Sequence, residues 1–393
     1  MVMQRIYMDY TAGKPTDSRV LEVMMPYFTQ NYGNPSSVYS FGNQARNAIE
    51  EARKNVATLI GAEKKEEVIF TSGGTESNNL AIKGISYRNK DKKSRIVTSS
   101  IEHMSVLNSF KYLEKEGFEA VYVPVDRYGT IDLKVLRNEV NERTSLVSIM
   151  YANGEIGTVE PIKKIGEIAH SKGAYLHVDA VAAASQIPIN VLNENIDLLS
   201  LSSNDIYGPR GVGALYIKTG TRLIPLIHGG GQERGLRSGT ENVAGIVGMG
   251  KAAEIFKKEM KGESERLIKL RDLLIRNILD TIPETYLNGH PSNRLPNNVN
   301  IRFNYIEGES LILSLDMEGI ACSSGSACTS KTLEPSHVLL ATGLKHEEAH
   351  GSLLFSLGKE NMEEEIKYVS KILPKIVKRL RAMSPLTPRE LMN

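Results

Sequence analysis

The chain has 393 residues and a formal net charge of +2, long enough for one large domain plus a smaller one and too evenly charged to show a nucleic-acid footprint. Its two cysteines, Cys322 and Cys328, are too few for a disulfide framework and lack zinc-ligand spacing. The opening Met1-Val2-Met3-Gln4-Arg5 has no apolar core of signal-peptide length, and no run of about 18 apolar residues predicts a membrane span, so a reducing cytoplasm is the expected setting.

In chain order, residues 43–60 put Ala45, Ala48, Ile49, Ala52 and Val56 at helical spacing and predict an amphipathic helix. Glu67-Val68-Ile69-Phe70-Thr71 predicts a short apolar strand, after which Gly73-Gly74 turns into a helix over 75–83. Further strands are predicted at 95–98, 120–125, 146–151, 175–179 and 197–202, with helices such as 105–116 and 162–172 between them. This alternation predicts an α/β fold with a doubly wound, mostly parallel sheet, in which ligands bind at the carboxyl ends of strands. Past Gly239 the texture changes to a long helix over 241–279, an alternating strand Asn298-Val299-Asn300-Ile301-Arg302-Phe303, and a helix over 309–317. The expected division is a large domain over 15–251 and a smaller α+β domain over 252–393 that takes in residues 1–14.

Polar residues fall where such a sheet would use them. Thr71-Ser72-Gly73-Gly74-Thr75-Glu76-Ser77 joins a strand to a helix N-terminus, where unpaired N–H groups and the helix dipole can cradle a phosphate; a tight turn with a Thr or Ser cap is the plainer explanation. His103 could stack on a flat ring or be structural. Asp179, closing Leu176-His177-Val178, could pair with a pyridine nitrogen or cap a helix.

Taken together, the motifs carry a family resemblance. Tyr10 with Thr11-Ala12, Phe70-Thr71-Ser72-Gly73-Gly74-Thr75-Glu76, Ile101-Glu102-His103, Asn153-Gly154-Glu155-Ile156-Gly157, His177-Val178-Asp179-Ala180 and Tyr207-Gly208-Pro209 resemble cysteine desulfurases of the NifS/IscS type. So do His228-Gly229-Gly230-Gly231-Gln232-Glu233-Arg234-Gly235 and Arg237-Ser238-Gly239-Thr240, and Ser323-Ser324-Gly325-Ser326-Ala327-Cys328-Thr329 is similar to their sulfur-carrier loop. The resemblance implies the fold-type I, class V aminotransferase architecture, with a mostly parallel mixed sheet flanked by helices, and a cytoplasmic homodimer that supplies sulfur. It implies pyridoxal phosphate, with Gly74, Thr75 and Ser202 at the phosphate, Thr240 reaching it across the dimer, His103 on the ring and Asp179 at the ring nitrogen. Cys328 would be the nucleophile and persulfide carrier, which requires an ionised, accessible thiol. Cys322, after Gly319-Ile320-Ala321, is expected to be a buried small hydrophobe.

The pattern breaks at several positions. Ser202-Ser203-Asn204-Asp205-Ile206-Tyr207-Gly208-Pro209-Arg210 carries Asn204 where the family has a histidine and Asp205 where it has the cofactor-binding lysine. A carboxylate forms no imine with an aldehyde. Gly154 and Ala182 stand where the family has an asparagine and a glutamine on the cofactor's ring oxygen, and Leu354 replaces the arginine that clamps the substrate carboxylate. Lys14, in Ala12-Gly13-Lys14-Pro15, stands where a threonine is usual. It could pair with Asp205, replace the missing lysine as an imine former, or be an exposed lysine before a proline turn.

The expected function is therefore an IscS-like protein of iron–sulfur cluster assembly that docks an IscU-type scaffold through Met383-Ser384-Pro385-Leu386 and offers Cys328 as sulfur carrier or cluster ligand, with conventional turnover lost and cofactor binding in doubt. The alternative is an active pyridoxal-phosphate-dependent cysteine desulfurase that converts L-cysteine to L-alanine and a Cys328 persulfide. Purified protein coloured by the cofactor would favour the alternative.

Overall fold

The computed structural model describes residues 5–325 and 334–391; Cys328 and its immediate neighbours lie outside the described residues. In chain order the strands are β1 (Ile6–Tyr7), β2 (Val68–Thr71), β3 (Arg95–Ser99), β4 (Glu119–Val123), β5 (Thr144–Met150) and β6 (Tyr175–Asp179). There follow β7 (Leu198–Ser202), β8 (Gly213–Ile217), β9 (Thr285–Leu287), β10 (Asn298–Phe303), β11 (Ile320–Ala321) and β12 (Ser352–Ser356).

Seven of these form one sheet in the order β2-β8-β7-β6-β5-β3-β4. Pairing is parallel from β4 through β7, and β8 runs antiparallel to both β7 and β2. β2 therefore points the same way as β3 to β7, and Thr71, Ser99, Met150, Asp179 and Ser202 end on one edge. The central strands are buried along nearly their whole length, as in a sheet covered on both faces: Leu146, Val147 and Ile149 of β5 are fully buried.

The mostly parallel sheet expected from the alternation is present, mixed as the resemblance implies, with differences at particular elements. β8, Gly213-Ala214-Leu215-Tyr216-Ile217, follows the glycine-rich turn segment Gly208-Pro209-Arg210-Gly211-Val212 and fills the slot between β2 and β7. The helix expected over 75–83 is Gly74–Asn89. Its buried positions include Ser77, Asn78, Gly84 and Ser86 beside Leu80, Ile82 and Ile85, so no single apolar stripe marks its length. Helices Leu133–Glu139 and Glu363–Met383 and strand β12 add to the expected set.

Helix Ser40–Ile60 buries Ala45, Ile49, Ala52 and Val56 and ends on Gly61, whose φ of 68° is the left-handed C-cap geometry that glycine adopts without strain. It packs on the 39-residue helix Val243–Thr281. That long helix joins two apolar cores. Ala252, Ala253, Phe256 and Met260 belong to the core around the seven-stranded sheet. Leu267, Leu270, Leu274 and Ile278 belong to a second core with Ile6, Met8, Val299, Phe303, Leu353 and Phe355, built on the three-stranded sheet β12-β10-β9. β1 pairs in parallel with β11, which fastens the N-terminal segment to this second core.

A buried ion pair ties helix Ser40–Ile60 to the loop before the long helix. Arg53 donates through both terminal nitrogens to Glu233, at 2.7 Å each, and a third bond reaches Glu233 from the Phe70 backbone N–H at 2.7 Å. Both side chains are under 10 % exposed, so removing one partner strands a charge. Arg53→Met should lower unfolding stability by about 3–5 kcal/mol in denaturant titrations, and Arg53→Met combined with Glu233→Gln should recover part of that loss; equal losses in the two variants would show that the pair is not what is being broken.

Candidate active site

A cavity of about 460 Å³ opens at the carboxyl edge of the sheet. Its wall includes Gly74, Thr75, His103, Asp179, Ser202 and Asp205, all singled out from the sequence. Gly154, Ala182 and Leu354 also line it, as do Ser323 and Gly325 at the near end of the Cys328 loop. Thr240 is exposed and does not line this cavity.

The turn after β2 leaves a helix N-terminus open. Gly73 supplies no side-chain cap to helix Gly74–Asn89, and the first N–H groups of a helix have no partner within it. A Cβ at Gly74 would stand 2.6 Å from Val181 Cγ2, so a larger residue here would have to displace the Val181 side chain. Positive dipole and free N–H groups suit an anion there.

Asp179, at the end of β6, is buried and held from two directions. Asn78 Nδ2 donates to its Oδ2 at 2.6 Å and the Val181 backbone N–H to its Oδ1 at 3.0 Å. The same Asn78 amide donates to Ser105 Oγ at 2.8 Å, and Ser105 Oγ lies 2.8 Å from His103 Nδ1. His103 is the N-cap of helix Met104–Lys115, and its Nδ1 accepts from the Ser105 backbone N–H at 3.2 Å. An accepting Nδ1 leaves the proton of the neutral ring on Nε2. Asn78 and Ser105 were not visible as site residues in the sequence. The available signal was the polar pair Ser77-Asn78 just before the apolar Leu80-Ala81 of a helix that starts at a strand end.

Below this chain lies Glu102, fully buried between strand ends. Ser99 Oγ donates to its Oε1 at 2.6 Å and the Met150 backbone N–H at 3.0 Å, joining β3 to β5. Its backbone oxygen lies 3.0 Å from His337 Nε2. Burial pushes the Glu102 carboxyl well above its usual range. Asn153 holds the next loop by accepting from the Glu155 and Ile156 N–H groups at 2.9 and 3.0 Å.

Asp205 sits in the short turn Asn204–Ile206. Tyr207 closes that turn at a φ of 61°, an unusual value for a bulky side chain. Burial raises the Asp205 carboxyl, opposed by the Lys14 charge and the Ser202 hydroxyl. Lys14 is buried, only 6 % exposed, which corrects the possibility of an exposed lysine at the proline turn. Its Nζ donates to the Asp205 backbone oxygen at 2.6 Å and to Ser185 Oγ at 2.8 Å; the bond goes to the carbonyl and not to the carboxylate. Leu354 is 1 % exposed in β12, and Lys14 is the only lysine or arginine among the described residues of the cavity wall. Cys322 is buried in the second core with its thiol pushed up to about 12, as expected of an inert cysteine.

These residues fit a pyridoxal-type cofactor in three respects: an open helix N-terminus at Gly74 for an anion, a carboxylate fixed for a pyridine nitrogen, and an imidazole held at the cavity wall. They depart from it at Gly154 and Ala182, which offer no side-chain donor to a ring oxygen, and at Asp205, which offers no amine. Among the described residues, no group of three or more His, Cys, Asp or Glu is placed to hold a metal ion, and no helix is long and apolar enough to cross a membrane.

A second buried acid sets a pH response. Glu160, after β5, accepts from the Ile131 backbone N–H at 3.1 Å, and burial raises its carboxyl from 4.5 to about 8. A folded pKa above the unfolded one means stability present in full below about 4.5 and lost as pH rises through about 8. Thermal unfolding across that window should show the native chain losing stability with rising pH more steeply than Glu160→Gln; superimposable profiles would refute the assignment.

The chain matches the family model described as aminotransferase class-V over residues 6–369. It is 57 % identical over 383 residues to a protein named cysteine desulfurase IscS 1 from Archaeoglobus fulgidus, covering 98 % of this chain and 100 % of the relative. To a cysteine desulfurase IscS of Methanosarcina thermophila it is 54 % identical over 385 residues, covering 98 % of this chain and 95 % of the relative. Among solved structures, one titled NifS-like protein superposes with a TM-score of 0.90 at 38 % identity, covering 96 % of this chain and 100 % of that one. The sheet order, the strand-end cavity and these likenesses agree, and the chain belongs to the class V aminotransferases, in the IscS/NifS cysteine desulfurase family.

Proposed function

We propose that this chain serves iron–sulfur cluster assembly as a desulfurase-type sulfur donor that holds pyridoxal phosphate, takes sulfur from L-cysteine and passes it from Cys328 to an IscU-type scaffold. The observation that carries this reading is the convergence on one cavity of the open helix N-terminus at Gly74-Thr75, the Asp179 carboxylate fixed by Asn78, and the His103 ring fixed by Ser105. The relatives' printed names support it and fit it better than the expectation that turnover is lost.

Pyridoxal phosphate, when bound, supplies an electron sink for the bonds around an amino acid's Cα. Of the chain's own residues, Gly74, Thr75 and Ser202 would hold the phosphate, Asp179 the ring nitrogen and His103 the ring face, with Thr240 contributed by a second copy in a homodimer. Net chemistry balances without an outside oxidant: L-cysteine and the Cys328 thiol give L-alanine and a Cys328 persulfide. The cysteine Cβ–S bond breaks, an S–S bond forms, and a proton ends on Cβ. Cys328 must ionise to attack; it lies outside the described residues, and its role is carried over from the resemblance of its loop. Docking is supported by the exposed Met383 and Leu386 at the end of helix Glu363–Met383. A cytoplasmic setting accords with a carrier thiol that must stay reduced.

A second reading has Asp205 and Leu354 in its favour. A wall without an amine at 205 and without a guanidinium at 354 suits a partner that docks the scaffold and lends Cys328 as a cluster ligand, since iron–sulfur clusters favour four thiolates, without consuming cysteine. Alanine formed from L-cysteine by the cofactor-loaded chain separates the two. The sulfur-donor reading expects alanine from the native chain and background from Cys328→Ala. No alanine, together with cluster assembly that still needs Cys328, would establish the partner reading instead; assembly indifferent to Cys328→Ser would remove both.

The Leu354 wall makes a further prediction. Hydrogen bonds to a charged group contribute about 1.5–3 kcal/mol, so Asp205→Lys combined with Leu354→Arg should show a KM for L-cysteine roughly 10- to 100-fold below that of Asp205→Lys alone. Equal KM values would mean that residue 354 does not meet the substrate carboxylate.

A further inference from the structure

Lys14 reaches the cavity from a segment with no obvious reason to place a cation there. It follows the turn Thr11-Ala12-Gly13, and the Asp17 backbone N–H donates to the Tyr207 carbonyl at 3.0 Å, which fastens this segment to the turn that carries Asp205. The side chain is buried, and its Nζ stands 5.3 Å from the centre of the Tyr207 ring. It makes two hydrogen bonds, to Ser185 Oγ at 2.8 Å and to the Asp205 carbonyl at 2.6 Å. Two is the number of N–H groups on a neutral primary amine. An ammonium carries a third, for which the Tyr207 ring face is the contact at hand. With both hydrogens committed, a neutral Nζ keeps its lone pair for something else.

The electrostatics agree with that geometry. Burial, with a smaller contribution from Lys359, pulls the Lys14 ammonium down from 10.5 to about 8, against the opposing charge of Asp205. The shift favours the free amine relative to an unperturbed lysine at neutral pH. A lowered pKa in a desolvated pocket is how lysines become nucleophiles toward carbonyls.

We propose that Lys14 supplies the amine that residue 205 lacks, its Nζ condensing with the aldehyde of a pyridoxal-type cofactor in this cavity. A carbon–nitrogen double bond forms, and the aldehyde oxygen leaves as water with the two amine hydrogens. No oxidant or reductant is needed. The inference rests on the cofactor reading given above and deepens it. The competing role for Lys14 is structural, a cation that pins the Asp205 carbonyl and Ser185. Arginine can serve that role, since it keeps the charge and the donors, but it cannot serve the covalent one.

The test uses the full chain with pyridoxal 5′-phosphate alone as probe. Binding is measured by equilibrium dialysis, and a parallel sample is reduced with borohydride, digested and mapped by mass spectrometry. The expected result is one pyridoxyl group per chain on the peptide that contains Lys14, and loss of that label in Lys14→Arg while dialysable binding persists. Stoichiometric binding with the label on another lysine, or on none, overturns the Lys14 assignment and leaves the cofactor reading intact. No binding at all removes both. If Lys14→Arg fails to fold, the peptide map of the native chain still decides between a labelled and an unlabelled Lys14.

Discussion

Because β2 and β3 to β7 all point one way, the loops leaving their carboxyl ends must share one edge, and every polar group those loops bury has to find its partner there. This constraint explains why residues spread from 74 to 205 line one cavity. Glu102 bridges the ends of β3 and β5, Asn78 bridges a helix start to the end of β6, and Asn153 folds the loop after β5 back on itself. Buried polar groups cost free energy unless they are paired, so these bonds fix side-chain positions before any ligand is present.

Sequence made the sheet and the strand-end residues legible because both depend on local signals. Short apolar runs between turn residues mark buried strands, and Gly74-Thr75, His103, Asp179 and Ser202 each sit at the end of such a run. What was not legible depends on tertiary partners. The antiparallel direction of β8 depends on β2 and β7, between which it pairs. Helix Gly74–Asn89 is buried around most of its circumference, so the amphipathic period that marks a surface helix is missing. Lys14 looks like a turn lysine before proline until the fold shows that the segment after Gly13 runs under Tyr207. Asn78 is an ordinary helix residue until Asp179 arrives from a strand about a hundred positions later.

The substitutions in the wall change chemistry without changing the frame. Leu354 still exchanges backbone hydrogen bonds with Ser323, at 2.7 and 3.1 Å, and still pairs with Asn300 across the β10–β12 ladder. The cavity's shape is set by main-chain bonds that are indifferent to the side chain, and so a guanidinium can be exchanged for an isobutyl group and the fold remains that of the relatives. The turn at Asn204–Ile206 obeys the same logic: its geometry comes from Ser203, which bonds through its main chain to Val212, Ile206 and Gly208, and the side chain at 205 is free to differ.

Charge is the property that cannot be exchanged so freely. A lysine at 205 would add a cation at the floor of the cavity; aspartate adds an anion near Asp179, and the Coulomb repulsion between the two contributes to raising the Asp205 carboxyl. A buried anion without a counter-charge is unfavourable by several kcal/mol, so aspartate at 205 is tolerable only if it protonates or a cation moves in. Lys14 opposes the rise of the Asp205 carboxyl through its charge, burial still prevailing, while its hydrogen bond goes to the Asp205 carbonyl; it brings a desolvated amine to the turn from which the family's amine is missing. The same pair restrains itself: the Asp205 charge favours the charged, unreactive form of Lys14. Which side wins depends on burial, and here burial is the larger influence on Lys14, lowering its ammonium in a wall that holds no other lysine or arginine among the described residues.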